Sequence, residues 1–172
     1  MQQPASSSTS VVMASDSGPA VASDSLTRQG DTTPYIEGDI ICEMPNELPV
    51  PLVFTVARAN GGSGKIIRAV CMSPVETTDP DPILLYLFTA APTMANDNAA
   101  FDSALTNCIG VIVMELAVAT AGGALWQSYA GETLSYACGA TVTTLWGVAV
   151  AGGGWTPTAE QVLEFRLHVD RN

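Results

Sequence analysis

Histidine is almost absent from this chain, and cations are scarce. The 172 residues hold one His and six Lys or Arg against 17 Asp or Glu, a formal net charge of -11 at pH 7. Nucleic-acid binding through phosphates needs clustered Lys and Arg, and anionic lipid surfaces attract basic segments, so neither partner is expected. With a single imidazole, His-based catalysis and His-rich metal sites are hard to assemble. Cysteine is sparse and scattered. Cys42, Cys71, Cys108 and Cys138 stand far apart with no CxxC pair, which leaves a zinc knuckle unsupported. They read as small apolar core residues, with one or two disulfides left open.

Membrane and export signals are also weak. Residues 1–10 carry no positive charge, and the longest early apolar run is residues 11–14, so no secretory leader is expected. Residues 108–126 approach the length of a span. Yet Glu115 sits near the middle, where a charge is costly, and Gly122-Gly123 interrupts the run. Val111, Ile112, Val113 and Val118 favour strand, and no basic residue flanks either end.

What the chain has is apolar residues (47%), few charges (13%), 15 Gly and 11 Pro. Short apolar runs punctuated by turn residues are the pattern of a sandwich or barrel. Strands are expected at 39–43, 52–58, 65–72, 83–89, 109–117, 133–136, 145–151 and 161–169. About eight strands suit an all-β jelly roll or two-sheet antiparallel sandwich. The last is the clearest: Leu163, Phe165, Leu167 and Val169 alternate with Glu164, Arg166, His168 and Asp170, one face dry and one wet. Asn60-Gly61-Gly62-Ser63-Gly64 is expected as a hairpin loop, because Gly and Asn accept positive φ. Residues 99–107 have room for one helical turn.

The first 37 residues differ from the rest. They are rich in Ser and Thr, and no aromatic precedes Tyr35. Such a segment buries too little apolar surface to offset its ordering entropy. It is expected to be a flexible N-terminal arm, 1–37, attached to a β-sandwich body, 38–172. Removing residues 1–34 should leave that body folded.

Motifs for chemistry fail on inspection. Residues 59–66 (ANGGSGKI) resemble a phosphate loop, but Ala59 replaces the first Gly and Ile66 the metal-binding hydroxyl. Asn96-Asp97-Asn98 with Asp102 lacks the mid-loop Gly and closing Glu of a calcium loop and reads as a turn capping backbone amides. Asp79 and Asp81 read as a solvated loop, and His168 as a surface cross-strand partner. Trp126, Tyr129, Trp146 and Trp155 are candidates for core, interface or a glycan platform. Trp155 follows three glycines and is expected on a loop, partly exposed. No enzyme, metal or cofactor is expected.

Several stretches together carry a resemblance. They are A-R-A-N-G-G-S-G at 57–64, L-x-L-F with A-P at 91–92, D-N-A-A-F at 97–101, G-V-I at 110–112, L-W-G-V at 145–148, W-T-P at 155–157 and the closing strand to Asp170. In this order they resemble small β proteins encoded among the capsid genes of tailed bacteriophages. The resemblance implies a virion component: a capsid decoration, or cement, protein on the outer surface of the head. It would bridge neighbouring major capsid protein subunits and associate as a homotrimer. Val11, Val12 and Met13 in the arm, with Tyr35 and Trp155, are the expected partner-binding residues. The alternative is a tail-fibre or baseplate β domain binding host glycans.

Overall fold

The computed structural model describes residues 19–44, 48–75, 81–120 and 122–172. Among them there is no helix, and the regular structure is ten strands: β1 (Pro19–Thr27), β2 (Ile40–Ile41), β3 (Leu52–Thr55), β4 (Ser63–Ser73), β5 (Ile83–Phe88), β6 (Cys108–Thr120), β7 (Gly123–Ser128), β8 (Leu134–Ala137), β9 (Thr144–Ala151) and β10 (Val162–Arg171). All pairings are antiparallel. The order is β1-β10-β4-β7-β6-β5-β9-β2, with β3 also on β9 and β8 also on β4. The class is all-β, as expected. The strands form one hydrogen-bonded sheet that curls like half a barrel.

The inner face is the core. Leu163, Phe165, Leu167 and Val169 of β10 are all fully buried there, as the alternation required. They meet Trp126, Leu85, Leu87, Phe54 and Leu145 from the other strands. β5 and β9 are buried on both faces, hence their near-continuous apolar runs. Their outer residues Tyr86, Phe88, Trp146, Val148 and Val150 form a second, smaller core with Ile40 and with Met94, Ala95 and Phe101 from the loop above. Tyr86 and Phe101 rings lie 4.4 Å apart. That loop has no helical turn; Asn98 and Asn107 take left-handed conformations in it.

The arm boundary needs correction. β1 pairs with β10 along its whole length, from Pro19 opposite Asp170 to Thr27 opposite Val162. Ala22 and Leu26 are buried in the main core. Residues 19–37 therefore belong to the body. Small and polar residues concealed the strand, because an edge strand with one exposed face needs only a few apolar positions. Val11, Val12 and Met13 lie outside the described residues.

The glycine loop after β3 is likewise not a hairpin. β3 pairs with β9, whereas β4 pairs with β10, β7 and β8, so the loop crosses between separated strands. Gly64 is required by close approach: a Cβ there would stand 2.2 Å from the Asp170 carbonyl oxygen. Where the curl brings β1 beside β3, side chains close the seam. Val53 N–H donates to Asp24 Oδ2 at 2.7 Å, and Thr27 N–H donates to Glu43 Oε2 at 3.3 Å.

Candidate functional site

Two features stand out: a buried polar knot and an open outer face. The knot joins the segment after β1 to the loop after β5. Asp97, its side chain 3% exposed, accepts from Arg28 Nη2 at 3.0 Å, Tyr35 Oη at 2.7 Å and the Cys42 backbone N–H at 3.0 Å. Arg28 Nε also donates to Tyr35 Oη, and its guanidinium lies 4.6 Å from the Tyr35 ring centroid. An ion pair this dry needs every remaining donor and acceptor engaged, and here the donors converge. Burial, then the Asp97 charge, pushes the Tyr35 phenol above its ordinary pKa. The same causes push Cys42 up to about 12. The knot is a structural clamp: Asp97 does cap a backbone amide, as the turn reading required, and it also neutralises an arginine. Among the described residues no cluster of three metal-ligating groups occurs.

Tyr35 and Trp155 are brought together, but inside. They form an isolated antiparallel bridge, with rings 5.3 Å apart, and both are buried. The expectation that Trp155 is partly exposed is corrected: its indole lies beside Trp126, 6.1 Å away, and Gly152 and Gly153 before it pass so close to Pro82 and Asp81 that a Cβ would clash. Trp126 is fully buried and donates Nε1–H to the Asp81 carbonyl at 3.1 Å. Trp146 is half-buried in the second core. Of the four aromatics considered for a glycan platform, Tyr129 alone is exposed, so that platform does not form.

Among the described residues, the outer face of β1, β10, β4, β7 and β6 carries no covering loop comparable to the one over β5 and β9. Register sets its rows. Val21, His168 and Arg68 lie side by side across β1, β10 and β4. Arg68 Nη2 reaches Gln127 Oε1 of β7 at 2.6 Å. The next row holds Ser23 and Arg166, whose guanidinium is held by Glu164 at 2.7 Å. Among the described residues, the Arg68 guanidinium is held by the Gln127 amide oxygen rather than by a carboxylate. His168 is thus a surface cross-strand partner, as expected, and its neighbour is Arg68.

The face is also notched. β7 and β8 share one lane beside β4, with β7 opposite residues 70–73 and β8 opposite 63–66. Between them the chain leaves the lane at 129–133. On the side away from β5, residues 109–113 of β6 pair with no strand among the described residues. The gap is a cavity of about 240 Å³ lined by Ile66, Val111, Ile112, Val113 and Leu134, with Glu132 among its lining residues. A second depression of about 490 Å³, lined by Ile67, Gln127, Tyr129 and His168, shares Arg68 and Ser128 with it. The two adjoin, with Arg68 and Ser128 between them. Sequence reasoning missed the gap, because it depends on where β7 breaks from β8. Its one legible trace is the short insertion at 129–133 between two alternating segments.

No protein-family model matches the chain, and no curated protein matches it.

Proposed function

We propose that this protein is a capsid decoration protein of a tailed-phage head, working by binding alone. It sits on the outer surface of the shell and stabilises it by bridging neighbouring major capsid subunits, as a homotrimer. The observation that supports this most is the open outer face. Val21, Val111, Val118 and Tyr129 are exposed on it, beside a mixed polar row of Glu164, Arg166, His168 and Asp170 on β10 and Arg68 on β4. Apolar anchors among polar residues of both signs suit a broad protein contact, where Tyr and Arg carry much of the binding energy. The two-sided burial of β5 and β9 gives that face a stiff backing. Each bound copy adds to shell stability by mass action. Tyr35 and Trp155 serve this role from inside, by fixing the sheet. Val11, Val12 and Met13 add contacts to a neighbouring subunit.

Co-sedimentation with expanded shells of the major capsid protein encoded in the same genome tests the reading. Saturable binding at a fixed ratio to capsid subunits is expected. Absence of binding by folded, full-length protein overturns it and leaves the glycan-binding tail domain as the better reading, to be tried on a glycan array.

A further inference from the structure

The curl of the sheet brings β1 beside β3, yet no strand ladder joins the two. Carboxylates stand in for it. Asp24 Oδ2 accepts from the Val53 N–H at 2.7 Å, across the seam, and Asp24 Oδ1 accepts from the Ser25 N–H at 2.9 Å. Glu43 Oε2 accepts from the Thr27 N–H at 3.3 Å. Ser25 and Thr27 therefore aim their N–H groups at the seam, away from β10. Backbone direction alternates along an antiparallel strand, so Ala22 and Leu26 donate toward β10. β1 has a ladder on one side and only these side chains on the other.

Little else holds β1. Of its nine residues only Ala22 and Leu26 are buried. The seam is loosely filled: a depression of about 220 Å³ runs along it, and its lining holds Asp24 and Glu43 but no cation. The anchoring changes abruptly at residue 28. The Arg28 N–H donates to the Gln161 carbonyl at 3.0 Å, and the Gln29 carbonyl accepts from the Glu160 N–H at 3.1 Å. The Arg28 guanidinium is fully buried on Asp97. An opening that starts at the seam meets this knot and stops there.

We infer that β1 is a latch: residues 19–27 detach from the seam and from β10 as one unit while the knot of Arg28, Tyr35 and Asp97 stays closed. Asp24 and Glu43 hold the latch shut. The opened form bares the edge of β10 and keeps the rest of the sheet. Segments with few buried apolar contacts and exposed backbone hydrogen bonds are the ones that open at less than the global unfolding free energy. The latch belongs to the fold itself, whatever the protein binds.

Amide hydrogen exchange on the full chain, resolved by NMR, tests it. Protection of the Ala22 and Leu26 amides should be at least about a hundredfold lower than that of Leu85 and Leu87 in the central strand β5, and less dependent on added urea. Equal protection and equal urea dependence in the two strands overturn the latch, because β1 then opens only with the whole sheet. Asp24→Ala should speed exchange at Ala22 and Leu26 by about tenfold and Glu43→Ala by about threefold. Unchanged rates in both variants overturn the role of the carboxylates. Tyr35→Phe keeps the ring and loses the bond to Asp97. It should leave Ala22 and Leu26 unchanged while speeding Leu85 and Leu87, since an interaction intact in both the closed and the opened form does not bias the opening. Faster exchange at Ala22 and Leu26 in Tyr35→Phe means that the knot opens together with β1, and overturns the inference.

Discussion

Tyr35 donates its hydroxyl proton to Asp97 at 2.7 Å, across 62 residues of sequence. This bond ties the segment after the first strand to the loop that covers the second core. Arg28 completes the tie from beneath, fully buried.

Removing Asp97 leaves the buried Arg28 charge with only the half-exposed Asp31 carboxylate, 3.6 Å away. Asp97→Ala is expected to cost about 3–5 kcal/mol, measured as a lower urea midpoint at unchanged m-value. Arg28→Met combined with Asp97→Leu should cost much less than either alone. A double variant as unstable as the sum of the singles would contradict the clamp.

Removal of residues 1–34 tests where the body begins. It deletes β1, whose Leu26 alone contributes about 1.5–3 kcal/mol by burial, and Arg28 with it. It also bares the edge of β10. Circular dichroism should show loss of the cooperative melt. A truncated chain with the parent's melting temperature would restore the arm boundary at residue 37.

The two central indoles should respond differently to loss of their N–H. Trp126 Nε1 has a carbonyl partner, whereas Trp155 Nε1 is buried with none. Trp126→Phe strands the Asp81 carbonyl, and Trp155→Phe relieves an unmet donor. The first should cost roughly 1 kcal/mol more than the second in denaturant titrations. Equal costs would point to a water bonded to Trp155.

Alkali should weaken the fold through Cys42. Burial, followed by the Asp97 charge, raises its folded pKa above the ordinary thiol range to about 12. Its contribution is fully present below about pH 9. It is lost as pH rises from there to about 12, because the unfolded chain releases a proton that the folded state retains. Cys71, raised by burial, acts in the same direction. Urea midpoints should fall from pH 8 to pH 11, less steeply in Cys42→Ala. In the folded protein at pH 8, half-buried Cys108 should be the first thiol to react with a disulfide reagent.

Much of the sheet could be read from period-two patterning. β10 alternates so strictly that its dry and wet faces were evident, and all eight expected strands are present within a few residues. The two that escaped lack that signal for different reasons. β1 (PAVASDSLT) buries only Ala22 and Leu26, too little to stand out from a Ser-rich segment. β7 begins at Gly123, which looked like a break. It is a glycine because φ is +142° and a Cβ would meet the Ser73 carbonyl oxygen at 2.3 Å. The site was less legible. Arg28, Tyr35 and Asp97 are scattered over 70 positions, and nothing local joins them. The inward turn of Trp155 depends on Tyr35 waiting opposite. The gap in the outer face exists only because two collinear strands are separated by a loop.

The pairing of β1 with β10 sets an order of assembly. Among the described strands, β1 is made first on the ribosome, and β10, with which it pairs, is made last. Until β10 appears, β1 has no ladder to join and β4 presents an open edge along its length. Such contacts between sequence-distant strands slow folding, and unpaired edges invite association with other chains. The nascent protein must therefore pass through a stage in which nearly all of its core residues have been made but the strand that closes the sheet has not. That interval, rather than the finished fold, is where misassembly between copies begins.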